Sequence, residues 1–431
     1  MDNIKEEFFR KNLKNAELFF VETENTHYVI SRGEKEELEK SKSFGVCLRI
    51  FENGRMGFSY MRNFFDIEKL ISSAKANFFN ARQWGWSMPS PQETENFDLF
   101  DDSFNKKEDE IFAELFEYEK KAKEKDPCVK DALSVSLGIS KGRFLILNTN
   151  NFEKSFKKTV FTFDIVLRGE KDGEVQVGGS GNAKTYLKKL KKDEILDEAV
   201  EDLVEQFGAE AISPKKMTVL LTSKTALSFL SLISGWFCAD EFLEKRVPPK
   251  IKEGEKIFSP LITIIDDGTV QELPASAPFD CEGRRVYKKE VVKEGVLKTL
   301  LKDTRTANLL NATSTANATR SYSSLPAVSH FNFYIEKGPN SKEDLLKDGE
   351  VLEITELLGL HLANPESAQF SLGAQGNLYK NGRLIKRVRG ITISGDLFEF
   401  FNSVVAVADD LKFYGSGGAP SILVKGVDVS G

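Results

Sequence analysis

Two Asn-Gly dipeptides restrict the folds open to this chain more than any other feature of its sequence. Asn53-Gly54 sits inside VCLRIFENGRMGFSYM and Asn381-Gly382 inside NLYKNGRLIKRVRGITISG, each between alternating apolar and polar runs. Asn and Gly tolerate the positive φ of a type I′ turn, so each segment predicts an antiparallel hairpin. More strand signals lie in residues 132–177, with a turn at Lys171-Asp172-Gly173, and in MTVLLTS, PLITIIDDGT, VVKEGVLKTLL and SILVKGVDVSG.

Helix signals stand apart from the strands instead of alternating with them. Residues 4–16 read as an amphipathic opening helix. Asp66 reads as the N-cap of a helix burying Ile67, Leu70, Ile71, Ala74 and Phe78. A charged helix over 107–125 stops before Pro127. Another carries Ile195, Leu196, Ala199, Val200, Leu203 and Phe207 on its inner side and ends at Gly208, a residue suited to a left-handed cap. An apolar helix is expected over 225–244. This segregation predicts an α+β fold and not a doubly wound sheet.

A length of 431 residues exceeds one ordinary core. The expected division is an N-terminal α+β subdomain (1–104), a middle α+β subdomain (105–213) and a β-rich C-terminal domain (214–431). Residues 84–102 form an irregular connection, and Ser213-Pro214 marks the second boundary.

With 40% hydrophobic and 29% charged residues the chain has a globular balance. A net charge of −6 argues against direct nucleic-acid binding, which needs a dominant positive field. The one basic run, AKTYLKKLKK, reads as a solvated helix face or edge. The start, MDNIKEEFFRKN, has no apolar secretory core. The most apolar stretch, 226–238, is interrupted by Ser228, Ser231, Ser234 and Gly235, and falls short of the roughly 20 residues of a bilayer span. Cys47, Cys128, Cys238 and Cys281 form no C-x-x-C pair and read as reduced, largely buried thiols. Together these predict a soluble cytoplasmic protein with no membrane contact.

Histidine supply limits the chemistry. His27, His330 and His361 are the only three, and none has a Glu beside it. A helical metallopeptidase motif needs two histidines on one helix face for zinc and a Glu to take the proton from the bound water. No local segment supplies that set. A site assembled from distant residues remains open, for example His330 or His361 with Cys281, Asp280 or Glu282. Asp266-Asp267-Gly268 reads as a turn, with a carboxylate pair for a metal as the alternative. There is no G-x-S-x-G elbow, and Ser329-His330 are neighbours that face opposite sides of a strand. The runs GGSGN and GSGGAP match neither nucleotide-binding pattern and read as tight turns.

Several segments, in order, resemble the TldD/PmbA family, whose members carry the label of modulators of DNA gyrase. SFGVCLRIFENGRMGFSYMRNFFDIEKLISSAKA is similar to its first domain. IIDDGT, APFDCEGRRVYKKEVVKEGVLKTLLKDTRTANLL, STANATRSYSSLP and VVAVADDLKFYGSGGAPSILVKGVDVSG are similar to its C-terminal domain. In the metal-bearing branch, the helix after the first C-terminal-domain strand carries H-E-x-x-x-H, and a late Cys completes a zinc site. Here that helix reads KTALSFLSLISGWF, with Leu227, Ser228 and Leu232 at the corresponding positions and no Cys after Cys281. The resemblance is therefore to the metal-free PmbA/TldE-type branch.

The resemblance implies a non-catalytic subunit with no catalytic residues, no metal ligands and no cofactor of its own. It would pair with a zinc-bearing TldD-type subunit, or with a second copy of itself, on peptides or unfolded segments. Arg320, Tyr322, His330, Gly415, Gly417 and Gly418 are the candidate groove residues. A stand-alone metallopeptidase with an atypical site and a regulatory gyrase modulator are the alternatives. Leu227, Leu230, Ile233 and Phe237 are expected to turn the former ligand face into a packing face, at ~1.5–3 kcal/mol each.

Overall fold

The Asn53-Gly54 hairpin forms as its sequence predicts. Glu34–Glu52 pairs antiparallel with Arg55–Arg62, and φ is +51° at Asn53 and +75° at Gly54. It lies near one edge of a seven-stranded sheet in the computed structural model, which describes residues 2–90, 92–94 and 97–431. Across the sheet the strands run Phe79–Asn80, Arg55–Arg62, Glu34–Glu52, Ala16–Ser31, Val129–Asn148, Phe152–Lys171 and Glu174–Lys184, all antiparallel. One continuous ladder therefore runs through both residues 16–80 and residues 129–184.

Alternation along the strands gives this sheet two different faces. Leu18, Phe20 and Leu48 pack with Ile4, Phe8, Ile67, Leu70 and Ala74 of the helices Asp2–Arg10 and Ile67–Ala76. Farther along the same strands, Tyr28, Ile30 and Leu137 pack under the helices Glu108–Lys125 and Lys192–Val204. The odd-numbered Phe19 and Cys47 turn to the other face and meet Phe279 of the C-terminal half. The two halves dock there.

Local chemistry explains where helices begin and end. The Asp66 carboxylate accepts the Lys69 N–H at 3.0 Å, the expected N-cap. The opening helix ends at Arg10 and not at residue 16, because Asn12 and Asn15 take positive φ and Ala16 starts a strand. The helix expected to run to Gly208 stops at Val204. Arg387 Nη1 reaches the carbonyls of Val204 (2.7 Å) and Phe207 (3.3 Å), satisfying the open helix end. Gly208 lies beyond it with φ +67°.

In the C-terminal half a six-stranded sheet runs Arg383–Asp396, Gln369–Lys380, Glu350–Leu358, Lys215–Leu221, Ile422–Ser430 and Val404–Val407. Thr392–Ser394 also pair with Asp428–Ser430, which closes five of these strands into a ring. A second sheet contains Ile264–Asp267, Phe333–Ile335, Gly417–Ala419 and Lys412–Tyr414. The helix Ser223–Ile233 packs against both, through Ala226, Phe229, Leu230 and Ile233. The fold is α+β.

The single helix expected over 225–244 is instead three pieces: Ser223–Ile233, a 3-10 turn Ser234–Phe237 and a short helix Ala239–Leu243. Four consecutive residues, Trp236, Phe237, Cys238 and Ala239, are buried, and one face of a straight helix cannot bury four in a row. Breaking the helix at Ser234-Gly235 lets Trp236 stack on Phe398, with centroids 4.8 Å apart. Among the described residues, no helix is long and apolar enough to cross a membrane. The four cysteines are unpaired, Cys47 and Cys238 buried and Cys128 and Cys281 half-buried.

Candidate functional site

The helix Ser223–Ile233 opens with Thr222, whose hydroxyl accepts the Thr225 N–H. Its outward face carries Lys224, Leu227, Ser228, Ser231 and Leu232. Leu227 is half-buried, unlike the fully buried Leu230, Ile233 and Phe237, so the core takes Ala226 and Phe229 where Leu227 was expected. Strand Gly417–Ala419 crosses this face so closely that a Cβ on Gly417 would stand 2.6 Å from Leu227 Cδ1. A side chain at position 417 would have to push the Leu227 side chain aside.

The chemistry offered here is poor for zinc, which takes Cys sulfur, His nitrogen or carboxylate oxygen. Leucines and glycines carry no donor. The hydroxyls of Ser228 and Ser231 are turned back on the helix, donating to the Lys224 carbonyl (3.1 Å) and the Leu227 carbonyl (2.9 Å). These residues do not fit the metal. Among the described residues, no group of three or more His, Cys, Asp or Glu is arranged to hold a metal ion.

Beside the start of this helix, a cleft of about 560 Å³ opens between the helix Lys192–Val204 and the C-terminal half. Helical spacing puts Glu198, Glu201, Asp202 and the following Glu205 along one stripe of its wall. Lysines answer three of the seven lining carboxylates. Lys224 pairs with Asp202 at 3.5 Å, Lys342 with Glu353 at 2.6 Å, and Lys412 with Glu198. Glu205 instead accepts the Asn377 Nδ2 hydrogen bond at 3.0 Å. The described lining contains no histidine or cysteine. Its carboxylates, ammonium groups and the tyrosines Tyr379 and Tyr414 make the lining strongly polar.

Burial pushes the Glu205 carboxyl up, and the neighbouring Glu353 carboxylate adds to the rise, to about 7 against an ordinary 4.5. A carboxyl raised by folding supports the fold while protonated. That support is complete below 4.5 and is lost as pH rises through about 7. Glu205→Gln should therefore raise the melting temperature at pH 8 by about 2 °C and leave it unchanged at pH 4. Thermal denaturation at the two pH values checks this, and an equal shift at both rejects the assignment.

The six candidate groove residues fall into two places. Gly415, Gly417 and Gly418 sit together beside the cleft; the Gly415 N–H donates to Asn182 Oδ1 at 2.9 Å, and Gly417 and Gly418 pair with Phe333 and Tyr334. Arg320, Tyr322 and His330 lie instead at the seam with the N-terminal sheet. The Arg320 side chain is wholly buried, its Nη2 donating to Glu17 at 2.6 Å. The Tyr322 ring covers Gly45, where any Cβ would overlap it. His330 is half-buried and stacks on Phe333 at 5.0 Å.

The remaining histidines stand apart from these, His27 in the strand Ala16–Ser31 and His361 on the exposed turn Leu360–Leu362. Asp266 and Asp267 end a buried strand, and the expected turn falls just after them, at Gly268-Thr269. Asp266 pairs with Lys289 at 3.2 Å and accepts from Asn317 at 2.8 Å, while Asp267 accepts from Thr269. Both carboxylates are spent on structure. The acidic stripe at 198–205 went unread in the sequence, although its three-to-four-residue spacing was visible there.

Family models match three consecutive segments of the chain: PmbA/TldA metallopeptidase domain 1 over residues 16–78, the central domain over 101–209 and the C-terminal domain over 214–431. A Methanocaldococcus jannaschii protein is 29% identical over 415 residues, 95% of each chain. A Thermotoga maritima structure, described as a candidate modulator of a DNA gyrase, superposes with TM-score 0.91 at 24% identity, over 100% of both chains. TldE from Thermococcus kodakarensis gives TM-score 0.85 at 20% identity, covering 99% of this chain and 98% of its own. At these identities the two structures show a shared fold.

Proposed function

The chain belongs to the PmbA/TldD metallopeptidase family, and from that premise we propose that it is the metal-free subunit of a two-subunit peptidase. One observation carries the reading. The helix face corresponding to the metal-bearing branch's H-E-x-x-x-H holds Leu227, Ser228 and Leu232, with Leu227 against Gly417. The donors a catalytic zinc needs are replaced together, and the space is filled by leucine.

The partner is a TldD-type subunit that brings zinc, or a second copy of this chain, and the substrates are peptides or unfolded segments. This chain completes the chamber around the substrate and supports the catalytic subunit. The acid- and lysine-lined cleft beside the helix suits that task, since it can hold an extended polar chain without attacking it. The assembly works in the cytoplasm.

Purified alone, the chain is expected to carry well under one equivalent of zinc and to hydrolyse unfolded casein at background rate. Co-expressed with a TldD-type subunit it should elute in one peak with it and raise its peptidase activity. Metal analysis and a peptidase assay with and without chelator decide the matter. One equivalent of zinc in the lone chain, with chelator-sensitive activity, would overturn the proposal.

A further inference from the structure

A second recess, separate from the cleft, lies where the N-terminal sheet meets the C-terminal half, with a volume of about 240 Å³. Five of its sixteen lining residues are phenylalanines, and Asn317, Thr319, Ser329 and His330 add polar groups. Phe19, Phe144 and Phe156 come from the sheet, and Phe279 and Phe331 from the opposite side. Phe144 and Phe156 stack at 4.6 Å, and Phe279 meets Phe156 edge-on at 5.2 Å. Lys158 stands two residues from Phe156 on the same strand, so alternation sends both side chains to this face.

That lysine is the unusual feature. Its Nζ makes one hydrogen bond, to the Ser276 carbonyl at 3.0 Å, and has no carboxylate within ion-pair distance among the described residues. An ammonium has three donors, so two are left without a protein partner. Asp280 also lines the recess, but its oxygens already accept the N–H groups of Glu282, Arg284 and Ala318. Lys158 is half-buried, and a cation drawn into such a recess without a counter-charge is costly. Burial draws the amine down to about 8, as expected for an uncompensated charge.

We infer that this recess binds a small apolar monocarboxylate, whose carboxylate pairs with Lys158 and whose ring or branched chain fills the aromatic walls. The site is independent of the peptidase reading. One cation in a recess this small suits a single negative charge better than a phosphate. Acetate would satisfy the lysine and leave the walls empty. An alcohol of the same shape would fill the walls and leave the lysine unpaired. The recess has room for about one aromatic side chain.

The test is titration calorimetry on the full chain with 3-phenylpropanoate, its neutral analogue 3-phenylpropan-1-ol, and acetate. The acid should bind about tenfold or more tightly than the alcohol, the difference a charge-assisted hydrogen bond supplies. Acetate should bind more weakly than either. Lys158→Met, checked for folding by circular dichroism, should bring acid and alcohol within about twofold. Ala277→Met, which fills the recess without touching the charge, should weaken both. Equal binding of acid and alcohol, no binding at millimolar concentration, an acid preference that survives Lys158→Met, or acid binding unchanged by Ala277→Met overturns the inference. If Lys158→Met does not fold, the acid-to-alcohol ratio and Ala277→Met decide alone.

Discussion

Leu230→Glu is expected to unfold the C-terminal half, leaving protein that is insoluble or melts more than about 10 °C below the parent. Leu230 is fully buried between the helix's neighbours on both C-terminal sheets. Losing the leucine forfeits about 1.5–3 kcal/mol of burial, and an ionised carboxylate placed there without a partner adds several more. The sum rivals the whole stability of an ordinary domain, about 5–15 kcal/mol. The helix cannot rotate the new charge out to water, because Phe229, next to it, stacks on Phe400 at 4.4 Å and pins the register. Leu227→Glu, on the half-buried outward face, is the control and should cost far less. A Leu230→Glu variant that melts within about 2 °C of the parent would mean this face is not the core.

Contrast between these two leucines measures what could be read in the sequence. The apolar character of 226–237 was plain, and so was the loss of the family's ligand positions. Which leucine faced the core was not, because strand Gly417–Ala419 arrives from far along the chain and decides it. Signals that act over a few residues were legible: the Asn-Gly turns, the Asp66 cap and the stop before Pro127. The long strand pair Ala16–Ser31 and Glu34–Glu52 was only partly legible, since residues 34–42 are exposed throughout and carry no burial pattern. Backbone pairing holds that arm, and pairing leaves little trace in side-chain type. Arg320 shows the same limit in the site. As a sequence it was a groove candidate; in the fold it closes an ion pair with a residue 303 positions away.

That ion pair leads to the second large effect, a loss of about 3–5 kcal/mol on Arg320→Met at pH 7. At the seam, Glu17 accepts from Arg49 (2.9 and 3.0 Å to its two oxygens) and from Arg320, while Arg49 also reaches Glu282 at 3.3 Å. All four side chains are buried, with two charges of each sign. Removing Arg320 leaves two carboxylates facing one guanidinium, with all three side chains fully buried. Burial alone would raise the Glu17 carboxyl, but the charges of Arg320 and Arg49 outweigh it and hold the group below its ordinary value. A carboxyl depressed in this way gives its stability above the unfolded value, near 4.5, and loses it as pH falls. The variant's deficit should accordingly shrink below about pH 4.5, where Glu17 can take a proton instead of a partner.

Charge balance also predicts the double variant. Glu17→Leu with Arg320→Met leaves the Arg49–Glu282 pair balanced, so its cost should fall at least about 2 kcal/mol short of the two single costs added together. Urea titrations of the four proteins at pH 7 close that cycle. Additive costs, or a deficit below about 1 kcal/mol for Arg320→Met, would mean that the seam is held by Phe19, Cys47 and Phe279 and that its charges are passengers.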